Sequence, residues 1–259
     1  MQPKYVLSFV ILFGINMACF AWGSEGHKMV AKIAYTQLTP SVKDSLAKYL
    51  RGTTIEEAAV WMDEIKSDKS YDFQKKWHYI NIDKDSVYNP NDTNSNIVWA
   101  IQKAMKELKE RNKYSKEKVE IDIKILIHLL GDLHQPLHVG YGSDIGGNSV
   151  VVYYDATSTN LHRVWDTEII RDQVVNQNVD WKKMSHFSKE ELAQIGRIDI
   201  VEWMKESRSL LDTVYAFKGD NISQKYAKQN APVIERQLLI AGLRLGEILN
   251  YIFGSAPKG

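Results

Sequence analysis

From Val119 to Leu133 apolar residues occupy almost every face of a helix, and the chain places His128 and Asp132 inside that run. A helix that is apolar on most sides belongs in the interior of a fold. His128 and Asp132 are four apart, so they share one helix face about a turn from each other. Pro136 cannot continue the helix without losing a backbone hydrogen bond, so the chain must turn near it and can bring His138 back toward Asp132. Imidazole nitrogen and carboxylate oxygen are the usual zinc ligands. A lone His-x-x-x-Asp pair equally fits helix capping or bridging, whereas three such groups in one short stretch favour a metal.

The same pairing recurs. His162-Arg-Val-Trp-Asp166 repeats the spacing of four, Trp61-Met-Asp63-Glu-Ile-Lys66 and Trp77-His78-Tyr79 add two clusters, and His27 lies near the start. Five of the seven histidines (His27, His78, His128, His138, His162) fall in these clusters. His134 sits inside the densest one but off the ligand face and reads as packing around it. His186 has no partner in sequence.

Lys4 is the only charged residue before Glu25, and Tyr5 to Ala21 is a nearly continuous apolar run closing on the small-x-small triplet Cys19-Phe20-Ala21. That pattern describes a secretory leader, with a single membrane anchor as the alternative. Cleavage after Ala21 makes residues 1–21 a signal peptide and 22–259 the domain, with Trp22 first. It also removes the only cysteine, Cys19, so the mature chain has neither disulfides nor a thiolate for metal or nucleophilic work. The 33 basic and 32 acidic residues of the whole chain balance once Lys4 is gone, which excludes a general polyanion binder with a basic face.

Helical spacing marks Met29–Leu38 (closed by Pro40), Ser41–Tyr49, Ile97–Leu108, Val119–Leu133, Ile200–Phe217 and Ala231–Phe253, and the best strand is Ser149–Tyr154. The chain reads as mainly α: a single helical domain with, at most, a small β-hairpin.

With these blocks in view, the sequence resembles the zinc-dependent type I nucleases, the family of fungal single-strand nucleases and plant bifunctional nucleases. The resemblance spans the mature chain through Trp22 with His27, Trp61 to Lys66, Trp77 to Tyr79 and His128 to Gly140. It continues through Asp144 to Asn148, His162 to Asp166, Trp203 to Ser207 and Ala241 to Asn250. It implies the zinc-dependent phospholipase C and single-strand nuclease fold with three zinc ions per chain. Asp63, His78, His128 and Asp132 would hold one zinc, and His138, His162 and Asp166 a second. The third would take the freed amine and carbonyl of Trp22 with His27 and Asp132. Asp132 then bridges two metals, which a carboxylate with two oxygens can do and an imidazole cannot.

The implied activity is hydrolysis of single-stranded DNA and RNA, with 3′-nucleotidase activity, to 5′-phosphorylated products. A metal-bound water, its pKa lowered from about 15.7 toward 7, would attack phosphorus. Lys66 stands where fungal relatives usually carry Arg and would stabilise the phosphate, keeping the charge but not the bidentate fork. On sequence alone it is also an ordinary solvated helix lysine. Tyr79 matches an aromatic on which a base stacks, core packing being the alternative. Asp83 is assigned to the base or ribose, Thr167 falls where relatives often place a base-reading Asn, and Asn148 lies after two glycines near the metals. The expected protein is a secreted or periplasmic monomer with no stable membrane association once the leader is removed. A zinc-dependent phospholipase C is the closest alternative, disfavoured because the last ligand is Asp166 where those lipases typically carry Glu.

The leader assignment makes a direct prediction. N-terminal sequencing of the exported protein is expected to read Trp-Gly-Ser-Glu from Trp22, and a start at any other residue would count against cleavage after Ala21.

Overall fold

One helix, α5 (Lys116–Leu133), is touched by six others and forms the axis of the assembly. The computed structural model describes residues 22–91, 94–174 and 187–254, so the leader and His186 lie outside the described residues. Ser115 caps α5 by accepting from the Lys118 amide, the first turns carry charge, and from Ile123 onward nearly every residue is buried. The helix stops at His134, and Pro136 opens a short 3₁₀ turn, Pro136–Val139, that carries His138.

Packed around this axis are α1 (Ser24–Gln37), α2 (Pro40–Leu50), α3 (Ile55–Glu64) and α4 (Ile97–Lys109). They are followed by the short α6 (Leu161–Arg163) and α7 (Lys189–Ile195), then α8 (Ile200–Arg208), α9 (Leu211–Val214) and the long α10 (Gln224–Phe253). Pro40 both separates α1 from α2 and occupies the first turn of α2, where its missing N–H is no loss. α3, absent from the helices marked on the sequence, is set by a capping box: Thr54 accepts from Glu57 N, and Glu57 accepts from Thr54 N at 2.7 Å. The continuous helix expected over 200–217 breaks into α8 and α9. α10 begins seven residues before the expected Ala231, because the Ser223 side chain caps it and Pro232 is accommodated inside it.

The expected hairpin is present as β1 (Val151–Tyr154) and β2 (Thr157–Asn160), antiparallel with Tyr154 opposite Thr157. Asp155 and Ala156 both adopt positive φ, the two-residue turn that matches strand twist. A third strand, β3 (Asn221–Ile222), adds to β1 in parallel and extends the hairpin to three strands. Its two residues were too few to leave a periodic signal. The sheet has a positional use: β2 ends at Asn160, whose side chain caps α6 and so orients His162.

α1 and α10 cross closely. A Cβ on Gly242 would lie 2.5 Å from Ile33 Cβ. Alanine is the better helix former, yet here overpacking outweighs propensity. Gly242→Ala is expected to lower stability by about 1–3 kcal/mol in urea unfolding, and a stabilised variant would contradict this packing.

Candidate metal centre

α5 delivers His128 and Asp132 from its last turns, both with no solvent exposure. α3 carries Asp63 in its last turn, the 3₁₀ segment Lys69–His78 ends at His78, and α1 contributes His27 from its first turn. The turn after α5 supplies His138, while α6 and the π-wound turn Val164–Glu168 that follows it supply His162 and Asp166. Three groups of donors result: His27, His128 and Asp132; Asp63, His78 and His128; and His138, His162 and Asp166.

The spacings fit metal donors. Zinc bonds of about 2.0–2.2 Å place neighbouring donors of a tetrahedral site about 3.3–3.6 Å apart. Here His162 Nε2 lies 3.1 Å from both His138 Nε2 and Asp166 Oδ2, and His138 Nε2 is 3.9 Å from Asp166 Oδ1. Around Asp132, His78 Nδ1 is at 2.9 Å, His27 Nε2 at 3.1 Å and His128 Nε2 at 3.3 Å. His128 Nε2 is 3.7 Å from Asp63. Several of these atoms are buried without a hydrogen-bond partner: both ring nitrogens of His27, Asp132 Oδ1 and Asp166 Oδ2. His27 Nε2 and Asp132 Oδ1 approach within contact distance but are not aligned as donor and acceptor, as expected of two lone pairs aimed at a shared point. Orphaned buried donors of this kind are costly unless a cation satisfies them.

The opposite ring nitrogens are spoken for. His128 Nδ1–H donates to Ala59 O at 2.7 Å, His138 Nδ1–H to His78 O at 2.7 Å, and His162 Nδ1–H to Gly146 O at 2.6 Å. Each bond fixes the tautomer with Nε2 unprotonated and facing inward, the arrangement metal-binding imidazoles require. His27 lies flat on His128, ring centroids 4.0 Å apart. It fits against α5 only because residue 131 is glycine: a Cβ there would sit 2.7 Å from His27 Nδ1. Gly146, at φ +59°, is equally constrained, since a Cβ would lie 2.3 Å from Leu137 O.

Trp22 is fully buried beside this group, its indole packing toward Gly26 and Gly131, and the Gly23 amide donates to Asp166 O at 2.7 Å. The start of the described chain therefore lies between the donor groups. Lys66 Nζ is 2.5 Å from Asp63 Oδ1 and partly exposed, and Tyr79 presents a ring that is 39% exposed directly after His78. The remaining predicted contacts make other interactions. Asp83 faces Gly142, the Asn148 amide donates to Ile145 O at 3.0 Å and so holds its own loop, and the Thr167 hydroxyl packs against Gly23.

Two further groups, the buried Gln135 and the half-buried Arg208, were not picked out from the sequence. Gln135 donates to Asp166 and accepts from Leu137 N, bracing the His138 turn. Arg208 donates to the carbonyls of Val139, Gly140, Ile82 and Asp83, tying that turn to the segment after Tyr79. The only hint was their position in or beside the resembling blocks.

Electrostatics match the geometry. Burial alone would raise Asp132, yet His128 and His138 hold it well below the carboxylate range. Asp63 is likewise lowered despite burial, by His128 and Lys66. Burial lowers His27 and His138 and pushes His78 down to about 4, whereas His128, against its burial, is raised by Asp132 and Asp63. His134 is pushed down to about 3 by burial and by Arg244.

Clustered nitrogen and oxygen donors without sulfur, with Lys66 and Tyr79 on an accessible rim, define the catalytic kind of metal centre. The protein is a metal-dependent hydrolase. Residues 22–254 match the family described as S1/P1 Nuclease. Endonuclease 4 of Arabidopsis thaliana is 30% identical over 96% of this chain and 95% of its own, and Endonuclease 5 of the same plant is 26% identical over 98% of each. Nuclease S1 of Aspergillus oryzae is 26% identical over 97% of this chain and 98% of its own. Among solved structures, an alpha-toxin of Clostridium perfringens superposes with a TM-score of 0.49 at 14% identity, covering 92% of this chain and 67% of the toxin. The chain belongs to the S1/P1 nuclease family. No helix among the described residues is long and apolar enough to cross a membrane.

The shifts fix a pH dependence. A histidine whose folded pKa lies below its unfolded value of 6.5 stabilises the fold above that value and loses the contribution as pH falls. For His78 the window runs from about 6.5 to about 4, and for His134 from about 6.5 to about 3. His27 and His138 add in the same direction and His128 opposes them. The melting temperature of chelator-treated protein should therefore fall as pH drops below about 6.5, and a flat profile to pH 4 would contradict buried neutral imidazoles.

Proposed function

We propose that the protein is an exported, zinc-dependent phosphodiesterase that cleaves single-stranded DNA and RNA and removes phosphate from 3′-nucleotides, leaving 5′-phosphorylated products. The observation that carries this reading is the convergence of three donor groups around Asp132 and Asp166, with Trp22 buried beside them. In this reading residues 1–21 are removed and the Trp22 amine joins His27 and Asp132 as the third set of ligands. His128 Nε2 belongs to the set of Asp63 and His78, since it lies 3.1 Å from His78 Nδ1. Zinc in these sites would supply Lewis acidity toward a phosphate oxygen and a hydroxide nucleophile near neutral pH.

The chain's own part is positioning. Asp132 sits between two donor sets and can offer one oxygen to each. Lys66, now paired with Asp63, lies where its ammonium can turn to a phosphate that enters at the rim. Tyr79 offers a ring to an unpaired base, which selects single strands because a paired base keeps its faces stacked. Asp83 contacts base or ribose, while Asn148 and Thr167 serve the substrate side through the loop and the N-terminal segment they hold. The active species is a monomer without stable membrane association.

The test is substrate choice. Single-stranded DNA, single-stranded RNA and a 3′-nucleoside monophosphate should be hydrolysed, duplex DNA far more slowly, and a chelator should abolish all activity until zinc is restored. Lys66→Ala should lower kcat by about 10²–10³-fold. Tyr79→Ala should raise KM by an amount equivalent to about 1–3 kcal/mol. Cleavage of phosphatidylcholine vesicles with nucleic acid left intact would overturn the assignment.

A further inference from the structure

Two of the blocks that carry the family resemblance, Trp203–Ser207 and Ala241–Asn250, contribute no metal donor, yet they meet at one residue of the centre's scaffold. His134 is the C-terminal cap of α5, two residues after Asp132 and four before His138. Its Nδ1–H donates to Leu130 O at 2.7 Å, and its Nε2 accepts from Arg244 Nη1 at 2.9 Å. Its carbonyl accepts from Gln237 Nε2 at 2.8 Å. Arg244 comes from α10, stacks on Trp203 of α8 with the guanidinium carbon 4.7 Å from the ring, and pairs with Glu206 of α8. The side chain is 4% exposed, and its Nε has no hydrogen-bond partner.

We infer that Arg244 is a positioning residue for the metal centre, acting through His134 to fix the junction between α5 and the His138 turn. The inference rests on the zinc reading above. Polar contacts from Arg244 and Gln237 hold both the ring and the backbone of His134. Gln135, the next residue, braces Asp166. A rotation or shift of His134 thus moves ligands of two donor sets together. A buried arginine paired to a half-exposed glutamate is weak evidence for a stability role, since an apolar chain of similar volume fills the space without desolvating a charge. Groups that orient metal ligands from behind typically change metal affinity by about 10–100-fold when removed.

A cavity of about 560 Å³, bordered by Arg244, Glu206, Gln237 and Arg236, reaches this pair from the solvent side. It allows a rescue experiment. Zinc affinity of the mature chain is measured by competition with a chromogenic chelator, beside the melting temperature of the metal-free protein. Arg244→Ala is expected to bind zinc about 10–100-fold more weakly and to regain affinity when ethylguanidinium is added. Arg244→Met fills the same space without a donor and should stay weak with no rescue. Glu206→Gln should remain within about twofold of wild type, because the donor to His134 is untouched. Wild-type affinity in both Arg244 variants, or a weakening in Arg244→Ala that ethylguanidinium does not reverse, overturns the inference. If Arg244→Ala fails to fold, wild-type affinity in Arg244→Met overturns it alone. A wild-type protein that takes up no zinc overturns the metal reading first, and this inference with it.

Discussion

A carboxylate with no access to solvent, Asp132, is the constraint around which the molecule is built. It lies within 4.0 Å of His27, His78, His128 and His138, contributed by three different helical segments and the turn after α5. Burying a carboxylate is expensive unless positive charge or donors compensate it. Without a metal, His128 takes part of that role, which is why its pKa rises while the other imidazoles of the centre with a resolved shift fall. In the proposed reading a divalent cation held beside Asp132 would resolve the same problem and let His128 serve as a neutral ligand. The centre is therefore arranged for cations that the protein alone only partly replaces.

The surrounding fold serves this arrangement through backbone rather than through side-chain bulk. Carbonyls of Ala59, His78 and Gly146 anchor three imidazoles by Nδ1. Glycines allow the elements to come close enough: Gly131 admits His27 against α5, and Gly146 lets its loop lie on the turn that carries His138. The small sheet has no core of its own, but it ends in the cap that orients His162. The hydrolase and its scaffold are thus coupled. Displacing any one of these carbonyls would move a donor nitrogen directly.

The donors were legible because their chemistry is visible without coordinates. Spacing of four on an apolar helix announces His128 with Asp132, and the same spacing announces His162 with Asp166 even though the second pair spans α6 and the π-wound turn after it. The central helix was legible because nothing polar interrupts it from Ile125 to Leu133 except the donors His128 and Asp132. The misses have physical causes. α3 is fixed by a capping box, β3 is two residues long, and no glycine or proline between 200 and 217 announces the break between α8 and α9. The inward contacts of Arg208 and Arg244 could not be read, because an arginine at helical spacing looks like a solvated face until its carbonyl or imidazole partner, 69 or 110 residues away, is brought to it. Asn148 and Thr167 rest on the resemblance alone; in the structure Asn148 holds its own loop and Thr167 packs against Gly23.

The most direct measurement is anomalous X-ray scattering at the zinc absorption edge from crystals of the exported protein. Three strong peaks are expected: one bounded by Asp63, His78, His128 and Asp132, one by His138, His162 and Asp166, and one by His27, Asp132 and the amine of Trp22. Peaks at other residues, or an active crystal form with no peak next to Asp132, would contradict a cation-bridging role for that carboxylate.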